Sequence, residues 1–496
     1  MGNDIIPPVP CQSWEDVERG VFCFLNRSEE LPQISLWNNP GLPRLWQYNL
    51  HYFDWLWSLI RADSGFATAR RYALDWIENH QPDRGATGWE PYPTSLRLMN
   101  WTLLFFGHWN EETHNDEKFF HLLVNSIYRQ SSCLAGQLEF QVLANHLLEN
   151  AVALSSVGHF FEGVDANRWG ELGNRIAREQ LAEQILPDGH HFERSPMYHA
   201  RVCWLVDLLS KVGDDNTKHT ATTQIPKMKS AMEKMCHPNG SLALFNDCAN
   251  SIYSVPSKIE TPLGVWSLPD SGYYGAKLAG ENYIVCDCGN IGPDYQPGHA
   301  HADTFSFEWT IDGRPFITDT GTFEYANSKE RRFDRSTSSH NTIQINGRNS
   351  SEVWSSFRVG KRCFPKLSRW APGFASFELE AEHDGYSPTV CRRSFSYDIS
   401  RLQLCDALEG EGELHLQSRL HFAPGVKLEI HDGGVVANLE SFQVEITFQS
   451  SKPIQILRDT SRYSPEFGLA IEREVLLIQG CFAGSLQLIT SMTVKR

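Results

Sequence analysis

The hydrophobic residues of this chain change their spacing once, between about residues 240 and 280, and this change limits the possible folds. From about residue 45 to residue 240 they recur every three or four positions, as in ATARRYALDWIENH and ELGNRIAREQLAEQIL. That spacing places them on one face of an α-helix. Short breaks such as DSGF and LPDGHH separate the segments, so successive helices are expected to form antiparallel hairpins.

Beyond about residue 270 the apolar residues alternate with polar ones. TFSFEWTI, SFELEAE and FQVEITF show this period of two, which is typical of half-buried strands. Turn sequences such as IDGR and INGRN separate the strands. We therefore predict an α+β multidomain chain, with an α-helical domain over residues 1–265 and an antiparallel β-sandwich over residues 266–496.

Charge and composition exclude several classes of partner. The formal net charge is −16, which disfavours nucleic acid because phosphate binding requires a basic face. No apolar run reaches the ~18 residues that span a bilayer, so no membrane partner is expected. The first residues lack the basic start and apolar core of a signal peptide, and the twelve cysteines are thinly spread. We expect reduced thiols in a cytoplasmic protein, or a periplasmic or secreted one if a leader is missing.

Two clusters of polar residues lie within the helical half. LEFQVLANHLLENAV places Gln141, Asn145 and Glu149 on one face of a predicted helix, next to His146. A buried amide is costly unless hydrogen-bonded, so a satisfied structural amide is one interpretation and a ligand contact is the other. ILPDGHHFERSPMYHAR combines a turn, a helix start and several titratable side chains including Tyr198, and a solvated loop is the alternative interpretation.

A third cluster follows the change of period. In PGHAHADTFSFEWTIDGRPFITDTG, His299 and His301 are two apart and face one side of an extended chain. Asp319 follows the next predicted strand and His340 begins another. Histidine and aspartate from neighbouring strands are typical of a zinc site, although a hydrogen-bonded polar sheet edge fits the same spacing.

Long ordered strings in these clusters resemble one known family. QVLANHLLEN, QILPDGHHFERSPMYH and PGHAHADTFSFEWTIDGRPFITDTGTFEY are similar to the heparinase II/III-type polysaccharide lyases and related alginate lyases. WQYNLHYFDWL and WEPYPTSLRLMNW resemble the helical domain of the same group. The resemblance runs from about residue 45 to residue 350. It implies an incomplete (α/α) toroid followed by an antiparallel β-sandwich.

The resemblance also implies residue roles. Asn145 and His146 would neutralise a uronate carboxylate, while Tyr198 and His299 would transfer protons, and which of these two is the base stays open. His301, Asp319 and His340 would hold a structural divalent metal, zinc in preference to manganese or calcium. Weaker candidates for substrate contacts are Arg97, Trp101, Arg194, Arg201 and Arg335.

The activity implied by the resemblance is cleavage of a uronate-containing acidic polysaccharide by β-elimination. Glycosaminoglycans such as hyaluronan, chondroitin or heparan and heparosan are the expected substrates, and alginate or a bacterial exopolysaccharide is the alternative. A glycoside hydrolase using Glu90, Asp188 or Glu193, or a non-catalytic glycan-binding protein, is a rival from another class. The sequence leaves the oligomeric state open.

Overall fold

The computed structural model describes residues 12–31, 37–83, 85–253 and 264–495. The chain divides into two compact units. The first contains Met1–Ile185, Ala200–Pro226 and Ser251–Ser254, and the second contains Leu186–His199, Lys227–Asn250 and Val255–Arg496. Two stretches that end before residue 265 therefore group with the second unit, and its third stretch begins at Val255. The single boundary between residues 265 and 266 stays a prediction.

Most of the first unit consists of helices whose apolar spacing was visible in the sequence. Its elements are α1 (Trp14–Arg19), β1 (Val21–Phe24), β2 (Arg27–Glu30), α2 (Arg44–Tyr52), α3 (Gly65–Asn79), α4 (Pro91–Leu103), α5 (Asn110–Asn115), α6 (Glu117–Ala135), α7 (Ala144–Phe160), α8 (Val164–Gln184), α9 (Pro196–Val212) and α10 (Asp215–Lys234). Short 3-10 segments (Asp54–Arg61 and Thr87–Trp89) and a π-helical turn (Leu104–His108) lie between them. The first turn of α9 and the end of α10 belong to the second unit.

Helices α7 and α8 pack so closely that their backbones touch. A Cβ atom built on Gly158 of α7 would lie 2.5 Å from the Cα atom of Gly170 in α8. On the same face, a Cβ on Gly173 would lie 2.5 Å from the carbonyl oxygen of Ala151. Helix α7 is buried along almost its whole length, which explains why it lacks a charged face.

The start of α7 corrects one prediction. The segment LEFQVLANHLLENAV was expected to be one continuous helix carrying Gln141, Asn145 and Glu149 on one face. Instead α7 begins at Ala144, and Gln141 lies in a turn. Leu143 and Ala144 have φ angles of 64° and 51°, and this left-handed backbone interrupts an α-helix. The prediction for Gln141 was wrong.

The second unit contains antiparallel sheets. Its elements are β3 (Gly264–Leu268), β4 (Tyr273–Leu278), β5 (Asn282–Asp287), β6 (Phe307–Ile311), β7 (Arg314–Ile317), α11 (Lys329–Asp334), β8 (Ile343–Ile345), β9 (Val353–Trp354), β10 (Arg358–Val359), β11 (Pro365–Pro372), β12 (Ser376–His383), β13 (Val390–Asp398), β14 (Arg401–Glu409), β15 (Glu413–His421), β16 (Lys427–His431), β17 (Gly434–Leu439), β18 (Phe442–Ser450), β19 (Gln455–Tyr463), β20 (Ile471–Ala483) and β21 (Leu486–Lys495).

Three of the sheets share one apolar core. The strand orders are β11-β12-β13-β14-β21-β18-β17-β16, β19-β20-β15-β8 and β3-β4-β5-β6-β7. Phe395 of β13 pairs in register with Leu404 of β14, and both side chains point into this core with Leu416 of β15. The predicted antiparallel β-sandwich is confirmed.

Two further expectations concern the chain as a whole. None of the helices in the described residues has the length and hydropathy needed to cross a bilayer. The eleven cysteines within the described ranges are all free thiols, in agreement with the thin spread of cysteine along the sequence.

Candidate active site

Two phenols and an imidazole meet in the second unit. The ring of Tyr198, in the first turn of α9, stacks on the imidazole of His299, with centroids 4.0 Å apart. The hydroxyl oxygens of Tyr198 and Tyr325 lie 3.0 Å apart and share a hydrogen bond. Three groups able to give or take a proton are therefore adjacent. The sequence predicted that Tyr198 and His299 are both functional, but Tyr325, at the end of the GTFEY string, had no pattern of its own.

The start of α9 fixes the position of Tyr198. Pro196 occupies the first helical position, where its missing N–H costs nothing. The backbone N–H of Tyr198 donates to Ser195 Oγ at 3.3 Å, and Ser195 Oγ in turn donates to the carbonyl oxygen of Asp247 at 2.5 Å. These two hydrogen bonds connect Tyr198 to Asp247, the residue whose carboxylate also bonds His299.

Asp247 is the centre of a buried charge network. Its Oδ2 lies 2.8 Å from His299 Nδ1 and its Oδ1 lies 2.8 Å from His301 Nε2. Both oxygens also accept hydrogen bonds from the guanidinium of Arg331. Burial alone would raise the pKa of Asp247, but the Arg331 charge and the bonds from the two imidazoles lower it well below its ordinary value. Asp247 is therefore a carboxylate at neutral pH.

The ionised carboxylate determines which nitrogen of His299 carries a proton. A carboxylate can only accept hydrogen bonds, so Nδ1 of His299 is protonated and Nε2 is the atom left for other chemistry. His299 Nε2 lies 3.6 Å from Oε2 of Glu193, a residue that is almost fully buried. Asp247, in the segment LFNDCAN, was missed because it lies 52 positions from His299 and has no motif spacing.

A second group of polar residues lies in the first unit. Asn145 and His146 occupy the first turn of α7, and Asn145 is 2% exposed. His146 Nδ1 lies 2.9 Å from Oε1 of Glu139, and the imidazole packs 4.4 Å from the ring of Tyr92. The His146 side chain keeps 33% of its surface exposed, so part of the ring reaches solvent.

A buried ion pair joins the same helix to α9. Glu149 accepts two hydrogen bonds from Arg201, at 2.6 and 2.8 Å, and a longer one from the Tyr92 hydroxyl at 3.4 Å. Nearby, burial raises the pKa of Asp54 to about 7, although the charge of Arg201 opposes the rise. Glu149 and Arg201 thus neutralise each other, and Asp54 changes its charge near neutral pH.

The two histidines among the predicted metal ligands contact carboxylates in this structure. His340 Nδ1 lies 2.8 Å from Oδ2 of Asp319, and this carboxylate raises the pKa of His340 although burial opposes the rise. His301 is bonded to Asp247, and its ring centroid lies 5.4 Å from that of His340. In this arrangement Nδ1 of His340 and Nε2 of His301 are both in contact with carboxylates.

The ligand atoms of His301, Asp319 and His340 also do not gather closely enough. Within the described ranges, the group whose ligand atoms lie within 4.8 Å of one another is a different one, formed by the exposed residues Glu413, His415 and Cys481. The zinc site at His301, Asp319 and His340 stays a prediction, and no reaction step is derived through a metal.

Arg97 and Trp101, two of the predicted substrate contacts, lie in the interior of the first unit. The Arg97 guanidinium bonds Gln130 and the carbonyl oxygens of His51 and Gly88. Arg97 and Trp101 are both 0% exposed. Their substrate roles stay predictions, and in the structure both side chains are packed inside the first unit.

The other three predicted contacts also have internal partners. Arg194 donates to the carbonyl oxygens of residues 271, 290 and 292, and Arg335 donates to those of residues 300 and 355. Arg201 is paired with Glu149. A role for these arginines in substrate binding is untested, and their guanidinium groups hold loops and a helix in place.

Two family models match the chain, one after the other. The model described as Heparinase II/III N-terminus matches residues 43–267, and the model described as Heparinase II/III-like, C-terminal matches residues 260–490. A heparin-sulfate lyase of Pedobacter heparinus is 22% identical over 354 residues, covering 61% of this chain and 52% of that protein. A heparin-sulfate lyase of Bacteroides stercoris is 22% identical over 416 residues, covering 75% of this chain and 60% of that protein. The chain thus spans little more than half the length of these relatives.

Solved structures show the same fold. The crystal structure of heparinase III superposes with a TM-score of 0.77 at 19% identity, covering 92% of this chain and 79% of that one. The chondroitin AC lyase of Streptomyces coelicolor A3 superposes with a TM-score of 0.55 at 10% identity, covering 92% of this chain and 76% of that one. The predicted arrangement of a helical domain followed by antiparallel sheets is confirmed.

Proposed function

Since the chain belongs to the heparinase II/III family, we propose that it is a polysaccharide lyase that cleaves uronate-containing glycosaminoglycans by β-elimination. The observation that carries this proposal is the stacking of Tyr198 on His299 with the hydroxyl of Tyr325 in hydrogen-bond contact. Acid and base are both needed next to the sugar, and this cluster offers them side by side. The relatives named heparin-sulfate lyase support the same reaction type.

The reaction breaks two bonds and forms one double bond in the sugar. A base removes the proton from C5 of the uronate, and the electrons of that C–H bond form the C4–C5 double bond. The bond between C4 and the linking oxygen breaks, and this oxygen takes a proton from an acid. The products are a new non-reducing end with an unsaturated uronate and a free hydroxyl on the departing sugar.

Negative charge develops on the uronate carboxylate when the C5 proton leaves. In this proposal, N–H groups of Asn145 and His146 bind the carboxylate and stabilise that charge. Preorganised donors of this kind typically contribute ~3–4 kcal/mol each to the transition state.

Tyr198 and His299 take the acid and base roles between them. Asp247 holds the proton on Nδ1 of His299, so Nε2 is the reacting nitrogen. A hydroxyl that donates to a phenolate favours the ionised form, and Tyr325 is placed to do this for Tyr198. Each proton transfer typically contributes ~10²–10⁴-fold to the rate.

The contacts of the carboxylates argue against a glycoside hydrolase. Asp188 accepts hydrogen bonds from the backbone of His190 and from Ser271, and Glu90 accepts them from Arg44 and Tyr48. A hydrolase needs two carboxyl groups facing the sugar. Both of these carboxylates are instead bonded to other groups of the protein, which leaves Glu193, beside His299, as the remaining candidate and favours the lyase.

The test is a panel of uronate polymers, namely heparosan, heparan sulfate, hyaluronan, chondroitin and alginate. We expect ultraviolet-absorbing unsaturated product from at least one glycosaminoglycan. New reducing ends without ultraviolet absorption would identify a hydrolase, and binding without any product would identify a glycan-binding protein. Product from alginate alone would correct the substrate class and leave the reaction type in place.

Tyr198→Phe tests the residue assignment on the substrate that gives product. Removing the hydroxyl should lower kcat at least ~10²-fold while binding of the polymer persists, because the lost group acts in proton transfer. Tyr128→Phe, on an exposed tyrosine of the first unit, is the matched control and should keep full activity. Unchanged turnover in Tyr198→Phe would remove this tyrosine from the mechanism.

A further inference from the structure

We propose that Glu139 is a positioning residue that holds the imidazole of His146 in its doubly protonated, cationic form. The inference rests on the proposed function, because the cation is what pairs with a uronate carboxylate. No motif in the sequence singled out Glu139.

The contacts of Glu139 fix its carboxylate. Oε1 lies 2.9 Å from Nδ1 of His146, and Oε2 accepts a hydrogen bond from Asn150 Nδ2 at 3.0 Å. The backbone N–H of Glu139 donates to Asn150 Oδ1 at 2.9 Å. Glu139 is 7% exposed, so this clamp lies largely out of solvent. Asn150 thus fastens Glu139 to α7 one turn beyond His146.

The break before α7 brings Glu139 and His146 together. On a continuous helix two residues seven positions apart are separated by about 10.5 Å along the axis. Here the N–H groups of Val142 and Leu143 both donate to the carbonyl oxygen of Glu139, and the left-handed residues Leu143 and Ala144 turn the chain back on itself. The same turn that displaced Gln141 from the helix therefore creates the carboxylate–imidazole contact.

The contact has an electrostatic consequence. A carboxylate accepts and never donates, so Nδ1 of His146 carries a proton. A negative charge at this distance also favours the cationic imidazole, which carries a second N–H at Nε2. The ring is further held against Tyr92. The Tyr92 hydroxyl also bonds Glu149, whose charge is paired with that of Arg201.

Glu139→Gln tests the charge while keeping the size of the side chain. We expect kcat/KM on the responsive polymer to fall about 10- to 100-fold, because an oriented donor to the developing charge is weakened. The alkaline limb of the pH–rate profile should move to lower pH by about one unit. Glu171→Gln, an exposed position on α8, is the matched control and should leave both unchanged.

A double-mutant cycle separates positioning from general damage to the fold. His146→Ala should lower kcat/KM by about 10²–10³-fold. If Glu139 acts through His146, the double variant should be no slower than His146→Ala alone, since the two losses are not independent. If the loss of kcat/KM in the double variant equals the product of the two single losses, the proposal is wrong. Thermal unfolding of each variant shows whether the fold is intact.

A measurement without substrate distinguishes this inference from the proposed function. Ring ¹⁵N resonances of His146 report its protonation state directly, and the titration midpoint should fall by about one pH unit in Glu139→Gln. An unchanged midpoint would refute the role of Glu139 even if the enzyme is a lyase. A shifted midpoint in a protein that yields no unsaturated product would refute the lyase and keep the pairing.

Discussion

Asp247 is the residue on which the proposed proton-transfer cluster depends most. Two imidazoles and the guanidinium of Arg331 donate to its two oxygens. Asp247, His301 and Arg331 are buried, and the His299 side chain is 13% exposed. In Asp247→Asn the charge of Arg331 stays buried without a counter-ion. We expect a loss of about 3–5 kcal/mol in the free energy of unfolding, measured by denaturant titration.

The same substitution should also impair the reaction. An asparagine cannot hold His299 in one tautomer, so kcat should fall at least ~10²-fold under conditions where the variant is folded. Asp294→Asn is the matched control, since Asp294 is an exposed partner of Arg362. Asp247→Asn with wild-type stability and turnover would contradict both expectations.

Asp54 makes the stability of the protein depend on pH. Burial raises its pKa to about 7 in the folded chain, whereas an unfolded aspartate titrates near 4. The unfolded state therefore ionises first, and stability is lost as pH rises from about 4 to 7. Asp54→Asn removes this penalty and should raise Tm at pH 8 by ~2–4 °C for each kcal/mol gained. At pH 4 the Asp54→Asn variant and the unmodified protein should have the same Tm. An equal rise in Tm at pH 4 and at pH 8 would contradict the raised pKa of Asp54.

Single residues differ in how well the sequence predicted their roles. The strings around Asn145, Tyr198 and His299 were recognisable, because each lies in a long ordered segment. Asp247 and Glu139 were not, because their importance comes from contacts that sequence spacing does not encode. The predicted arginine contacts stay predictions, because the sequence does not distinguish a guanidinium bonded to carbonyl oxygens from one that is available to a substrate.

At the scale of elements, the close approach of α7 and α8 leads to a stability prediction. Gly158→Ala places a methyl group against the backbone of Gly170, so one helix must shift. We expect a loss of about 1–3 kcal/mol, seen as a lower Tm. Gly136→Ala is the control, because φ is −88° there and the added Cβ meets no atom closer than 3.5 Å. Equal melting of the two variants would show that the helix contact tolerates the methyl group.

The positions of most strands were easier to predict from the sequence than the strands with which they pair. Most alternating segments became strands, but β13 and β14 were not singled out. Both carry a buried charge, since Arg393 and Asp406 face each other in register and form two hydrogen bonds. A buried ion pair interrupts the apolar alternation that marks a strand, although the burial itself still alternates.

For the whole molecule, the hydrophobic period identified the type of most elements but not the core to which each element belongs. The stretch 186–199 and the stretch 227–250 precede the change of period, yet both are part of the second compact unit. The spacing of hydrophobic residues along the sequence indicates whether a segment is a helix or a strand. Grouping depends on contacts far apart in sequence, such as the bond from Ser195 to the carbonyl of Asp247.

The first turn of α9 restricts where the chain can gain or lose a residue. A helix turns by about 100° per residue, so one residue gained or lost between Ser195 and Tyr198 would point the phenol to another side of the helix axis. The anchor from Ser195 prevents a compensating slide. We therefore expect point substitutions between these two residues to leave the phenol beside His299, whereas an insertion or deletion there would move it away.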